Sequence, residues 1–183
     1  MKTLVLIILT ALFFGLAIST SAQNANHDQG MADCPMHAQH TAQDSHHAVV
    51  EKHGDEAMGF AHDKTTHHFR MLPDGGALEV TANDPNDKRD LQAIRSHLSQ
   101  IAVAFAKGDF STPVFVHDGV PPGTTTMKLL RTQIRYAYEE IPSGGRVRIQ
   151  SSNEVALAAI ADFLRFQITD HGTGDRLTAE GTR

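Results

Sequence analysis

The chain has 183 residues, a formal net charge of −5 and one cysteine. That length fits one domain, the negative balance excludes the basic face that nucleic-acid binding usually needs, and a lone cysteine excludes an internal disulfide. Stability must come from an apolar core, and the stretch from about residue 59 to 175 is long enough to hold one.

The chain begins "MKTLVLIILTALFFGLAISTSAQ": Lys2, an apolar run to about Leu16, then the small residues Thr20, Ser21 and Ala22. This order predicts a removed export signal over residues 1–22, with an uncleaved anchor as the alternative. The run falls short of the ~20 apolar residues that a spanning helix needs. The expected location is periplasmic or secreted, with no membrane contact once the signal is removed.

Residues 23–58 hold six of the 12 histidines and few large apolar side chains. No helical or strand period persists, so this tail is expected to lack fixed structure. Its "DCPMHAQH" places Cys34, Met36, His37 and His40 within seven residues. Thiolate, thioether and imidazole suit Cu(I), and imidazole also suits Zn(II) and Cu(II). "CPMH" resembles the short heavy-metal motif of some exported copper and silver efflux components. The plainer reading is a polar linker that happens to be rich in histidine.

From Gly59 the pattern changes. "HHFRMLPDGGALEVTAND" alternates about a Pro-Asp-Gly-Gly turn, a hairpin signature. Next, Leu91, Ile94, Leu98, Ile101 and Phe105 recur at helical spacing and stop at Gly108. "TPVFVHD" reads as a short strand, and "PPGTTTMKLLRTQ" as a turn into a short helix. "IRYAYEEIPSGGRVRIQSS" is a second hairpin. The closing helix carries Leu157, Ile160, Leu164 and Ile168 on one face. Residues 176–183 form a flexible end.

The two halves echo each other. "PDGG", "LQAIRSHL" and "KGD" line up with "PSGG", "LAAIADFL" and "TGD", offset by 69 residues at the turns and 66 at the helices. One strand–strand–helix unit cannot cover its own sheet face, but two can set four strands side by side with both helices on one face. The expected fold is α+β, with an antiparallel sheet built from two such pseudo-repeats. Chance likeness between two amphipathic helices is the alternative.

Five body histidines are candidate ligands. His67 and His68 are adjacent on a strand, so they point to opposite faces. His97 sits at the edge of the first helical stripe, His117 precedes Asp118, and His171 extends the stripe of the last helix. Met127 and Asp118 are further donors. Each histidine also has a plain role: bonded to a carbonyl, in a turn, or as a cation at a helix C-terminus. No nucleophile elbow, phosphate loop or His-x-x-x-His pair occurs.

"MGFAHDKTTHHFRMLPDGGALEV", "RSHLSQIAVAFAKGDF", "PPGTTTMKLL" and "ALAAIADFLRFQITDHGTGD" resemble a family of small exported bacterial proteins of unassigned function. The resemblance spans residues 58–175 and leaves out the tail. Some members carry the label aspartate carbamoyltransferase. That enzyme class is roughly twice as long, and its Ser-Thr-Arg-Thr phosphate loop is absent here. The resemblance therefore implies a real domain and no particular chemistry.

Three functions remain open on the sequence. One is an exported metal-binding protein for copper or zinc, with Cys34, Met36, His37 and His40 in the tail and His67, His68, His97, His117 and His171 in the body. Another is a metal-independent domain docking an envelope protein on its open sheet face. The third is a metal-assisted enzyme, which would need an open coordination position beside a base.

Overall fold

The computed structural model describes residues 35–179, with side chains from Ser45 onward. The expected signal segment and Cys34 lie outside the described residues. Met36, His37 and His40 fall on a helix, at positions whose side chains are likewise outside the description.

The fold is α+β. Helix α1 (Pro35–Met58) leads through a 3₁₀ turn into strands β1 (Thr65–Leu72) and β2 (Gly75–Ala82), then α2 (Lys88–Ala106). Short helices α3 (Ser111–Val116) and α4 (Thr124–Leu129) link to β3 (Ile134–Ile141), β4 (Gly144–Ser151) and α5 (Glu154–Asp170). The sheet order is β1-β2-β4-β3, antiparallel throughout. Among the described residues no helix is long and apolar enough to cross a membrane.

Local chemistry sets the long helices. The Asp87 carboxylate accepts from the backbone N–H of Arg89 and Asp90 to start α2, and the Asn153 side chain accepts from Ala156 to start α5. Ile94, Leu98, Ile101 and Phe105 are buried as their spacing predicts, as are Ile160, Leu164 and Ile168; Leu91 and Leu157 are half-buried. One core joins these residues to Val80, Val147 and Ile149 of the inner strands.

The pseudo-repeat is real in three dimensions, and it is crossed. Helix α2 of the first unit packs mainly on β3 and β4 of the second, while α5 lies mainly against β1 and β2 of the first. The matching glycines make this possible. A Cβ on Gly76 would lie 2.2 Å from Leu164 Cδ1, and one on Gly145 would lie 3.1 Å from Leu98 Cδ1. These are the same contact made twice, since Gly145 follows Gly76 by 69 residues and Leu164 follows Leu98 by 66. Gly76→Ala is expected to cost about 2–3 kcal/mol, because the Arg70 carbonyl oxygen also stands 2.5 Å from that Cβ. Gly145→Ala should cost less, its neighbours being flexible side-chain ends. Urea midpoints of the two variants check the order.

Two expectations are corrected. "TPVFVHD" is helical rather than a strand: the Asp109 carboxylate accepts from Ser111 N–H at 2.9 Å, and Pro113 sits in the first turn, where its missing N–H is no loss. Residues 45–58 are helical rather than without fixed structure. The described part of α1 docks through one buried aliphatic residue, Val50, at 1 % exposure, and through imidazoles instead of an apolar stripe. His53 stacks on Phe115 at 4.8 Å, and His46 Nε2 meets Asp170 Oδ1 at 2.9 Å. Gly59, with φ of 74°, ends the helix in the left-handed conformation.

The sheet face away from the helices is charged and internally paired. Arg146 donates to Glu79 Oε1 at 2.7 Å and to Glu139 Oε2 at 3.3 Å. Arg148 pairs with Asp74 and also donates to the Gly76 carbonyl. The face thus lacks the apolar patch that a docking domain would present there.

Candidate functional site

The histidines of the body converge. His67, His97, His117 and His171 line one half-open cavity of about 340 Å³, with His47, Met58 and His62. Helix α1 supplies one wall. The others are β1, the middle of α2, the end of α3 and the end of α5. Protein interiors rarely keep voids larger than a water molecule, so a hollow of this size between packed elements calls for an explanation beyond folding.

The repeat explains where the hollow comes from. Under the same offsets, His67 corresponds to Tyr136, His97 to Phe163 and His171 to Phe105. In the second half these aromatics pack together: Phe105 lies 5.8 Å from Tyr136 and 5.9 Å from Phe163, ring centre to ring centre, both edge-on. Phe110 closes that half, stacked on Phe105 at 4.6 Å. Its counterpart is Arg176, which is exposed. So one half of the core is filled by four aromatic rings. The equivalent half carries three imidazoles and has no plug.

These three imidazoles are held neutral. Burial pushes His67 down to about 4, assisted by repulsion from His97, His62 and His68. Burial alone pushes His97 down to about 4. Burial, then the neighbouring His117 and His67, pushes His171 down to about 3. His171 is therefore not a cation stabilising the end of α5. A neutral imidazole presents one lone pair, which is the form that binds a metal.

Distances define the nearest donors. His67 Nε2 stands 3.3 Å from Met58 Sδ. A thioether only accepts, so Nε2 carries the proton in that contact. His67 and His171 lie 6.1 Å apart by ring centres, with ring planes within 3° of parallel. Phe69 stacks on His171 at 5.4 Å, and Phe60 meets His97 edge-on at 6.0 Å, so both rings are oriented by packing.

The other candidates have different roles. His117 is engaged on both ring nitrogens: Nδ1–H donates to Asp170 Oδ2 at 2.6 Å, and Nε2 accepts from the Gln167 side-chain amide 3.1 Å away, which turns its NH2 end to the ring. It shapes the wall at 5.0 Å from His171, edge-on. Asp170 also takes His46. Burial alone would raise its carboxyl, but the bonds from His117 and His46 outweigh this and hold it below the usual carboxylate range. His68 turns to the opposite face from His67, as strand alternation requires. Its Nδ1–H donates to Asp175 Oδ1 at 2.9 Å, while Oδ2 of the same carboxylate accepts from Phe69 N–H. Met127 is fully buried core, and Asp118 is exposed in a left-handed turn.

Two members of the site escape a search for ligand-type residues in the body. Met58 belongs to the segment expected to lack structure. Gln167 is 4 % exposed and its side-chain amide meets His117 Nε2 at 3.1 Å. Among the described residues, no three His, Cys, Asp or Glu side chains are already gathered as a metal-binding group. The preassembled pair is instead imidazole and thioether. No family profile, curated protein or solved structure matches the chain.

Proposed function

We propose that the protein is an exported metal-binding protein whose folded body captures a soft ion, cuprous copper above all, in the histidine cavity. The observation that carries this reading is the replacement of a packed aromatic triad by three neutral imidazoles around a hollow, with a thioether sulfur at the nitrogen of one of them. Filling that half with rings would serve stability better. Keeping donor atoms there serves a ligand.

The donor chemistry fits Cu(I) better than Zn(II). Structural zinc prefers four ligands, commonly cysteine and histidine, and no such set is gathered among the described residues. Thioether and imidazole together select a soft ion, and Cu(I) accepts two or three donors. Met58 and His67 would form the first pair, the His67 proton moving from Nε2 to Nδ1 so that the Nε2 lone pair faces the ion. A third donor would come from His171 or His97, which line the same cavity. His117, His68, Asp170 and Asp175 would orient walls and strands rather than bind. The tail residues Cys34, Met36, His37 and His40 would deliver or buffer the ion.

Anaerobic titration of the full chain with Cu(I), against a chromophoric chelator, tests the assignment. One tight equivalent is expected to survive Cys34→Ser, Met36→Leu, His37→Gln and His40→Gln combined. Complete loss in that tail variant would overturn the body site. A second reading rests on the cavity itself: 340 Å³ falls within the range of small-molecule sites. Stabilisation by small aromatic alcohols, with no copper bound, would favour it.

A further inference from the structure

The two edges of the sheet are treated differently, although the repeat makes them equivalent. At the β1 edge, the segment after α5 folds back over the strand. The Asp175 carboxylate accepts from Phe69 N–H at 2.9 Å, and Thr173 Oγ1 bonds the same oxygen at 2.8 Å. The pseudo-equivalent of Asp175 is Asp109, and that of Phe69 is Tyr138. Asp109 does not cover β3; it caps α3 at Ser111 instead. Phe69 lies opposite Leu78 and Tyr138 opposite Val147, which is the same register under the repeat. By that register Tyr138 N–H points away from β4, into the open edge. Strand β3 is thus eight residues long, free of proline and, among the described residues, bonded to a strand on one side only. Such an edge is a template for another strand.

The sequence of that edge is complementary to itself. In "IRYAYEEI", antiparallel pairing centred on Ala137 sets Arg135 opposite Glu139 of a second copy, and Glu139 opposite its Arg135. The hydrogen-bonding pattern allows this register. Residues 134, 136, 138 and 140 share the outward phase of Tyr138, and this centring places them opposite one another. Arg135 and Glu139 then face each other as closely spaced, non-hydrogen-bonded pairs, where opposite charges contribute most. Tyr136 falls beside Tyr138 of the other copy. Moving the centre by one residue to Tyr136 or Tyr138 destroys both ion pairs. Arg135 is exposed, and Glu139 already takes Arg146, so the added pairs extend the charged network of the open face across a two-fold axis.

We infer that the protein forms a symmetric dimer through β3, making one eight-stranded sheet from two copies. The two histidine cavities lie on the β1 side of each sheet, away from this junction, so the inference is independent of copper binding.

Sedimentation of the full chain, metal-free, is the test. Twice the chain mass is expected at tens of micromolar. Arg135→Glu sets like charges opposite Glu139, and Glu139→Arg sets like charges opposite Arg135. Each variant alone should be monomeric at the same concentration, with an unchanged circular dichroism spectrum. Mixing the two should restore a dimer, because each charge then meets its opposite across the junction. A monomeric wild type, a dimer untouched by either reversal, or a mixture that stays monomeric would each overturn the proposal.

Discussion

Giving the first half of the core the aromatic residues of the second is expected to make the protein more stable and unable to hold copper. The variant is His67→Tyr, His97→Phe and His171→Phe, each replacement copied from the position that the repeat matches to it. Burying a Phe side chain contributes about 1.5–3 kcal/mol, and the three imidazoles replaced are only half-buried polar groups. The hollow of about 340 Å³ has room for the larger rings. Overpacking will consume part of the gain, so a net rise of about 2–4 kcal/mol is expected. For a chain of this length that is a melting temperature about 5–10 °C higher. Cu(I) affinity should fall at least ~100-fold, since three of the four cavity donors are gone. A variant that melts lower than wild type would mean that the imidazoles are structural. One that melts higher and still binds copper tightly would place the metal elsewhere.

The combination of gained stability and lost binding is what separates a functional cavity from a packing defect. Proteins sit just above the stability they need, and stabilising changes at a site commonly cost function. The two halves provide an internal reference, because the same backbone has been solved twice with different side chains.

Much of the fold was legible in the sequence. The two hairpins, the two long helices and the repeat follow from alternation, helical spacing and matched turns, and Leu98 and Leu164 landed on the glycines that the offset pairs with them. The sequence misled where a short apolar run had no length to show its period: "TPVFVHD" is equally a strand or a single helical turn. It misled again at α1, because hydropathy does not register a helix docked by imidazole rings and one valine. That error hid Met58. The cavity was half legible. His67, His97, His117 and His171 could each be named, but only folding brings together residues from β1, α2, α3 and α5. Their division of labour was also out of reach. Nothing in "VFVHDG" says that His117 spends both nitrogens on α5, or that His171 is neutral at a helix end that would favour a cation. The signal that was available is the repeat itself: aligning the halves residue by residue sets three histidines against three aromatics.

The same three histidines make the metal-free protein acid-sensitive in a defined window. Unfolded, each titrates near ~6.5; folded, His67 and His97 are pushed down to about 4 and His171 to about 3. Between these limits the unfolded chain binds more protons than the native one, so stability rises with pH and is lost on acidification from about 6.5 towards 4. The sign is that of depressed bases: the loss begins at the unfolded value and levels off only once the native imidazoles also protonate. Asp170 and Asp175, both held below the usual carboxylate range despite burial, add a separate loss below about 4. One proton corresponds to ~1.4 kcal/mol per pH unit. Water entering the half-open cavity will soften the effect, and a combined slope of about 2 kcal/mol per unit is expected near pH 5. Urea midpoints at constant m-value, from about pH 7 to 4.5, give that slope. The aromatic triple variant should lose most of it. The remaining histidines and carboxylates are shared by both proteins and cancel in the difference. Parallel slopes would mean that His67, His97 and His171 take up protons without resistance in the native state, and are therefore not the neutral donors that copper capture requires.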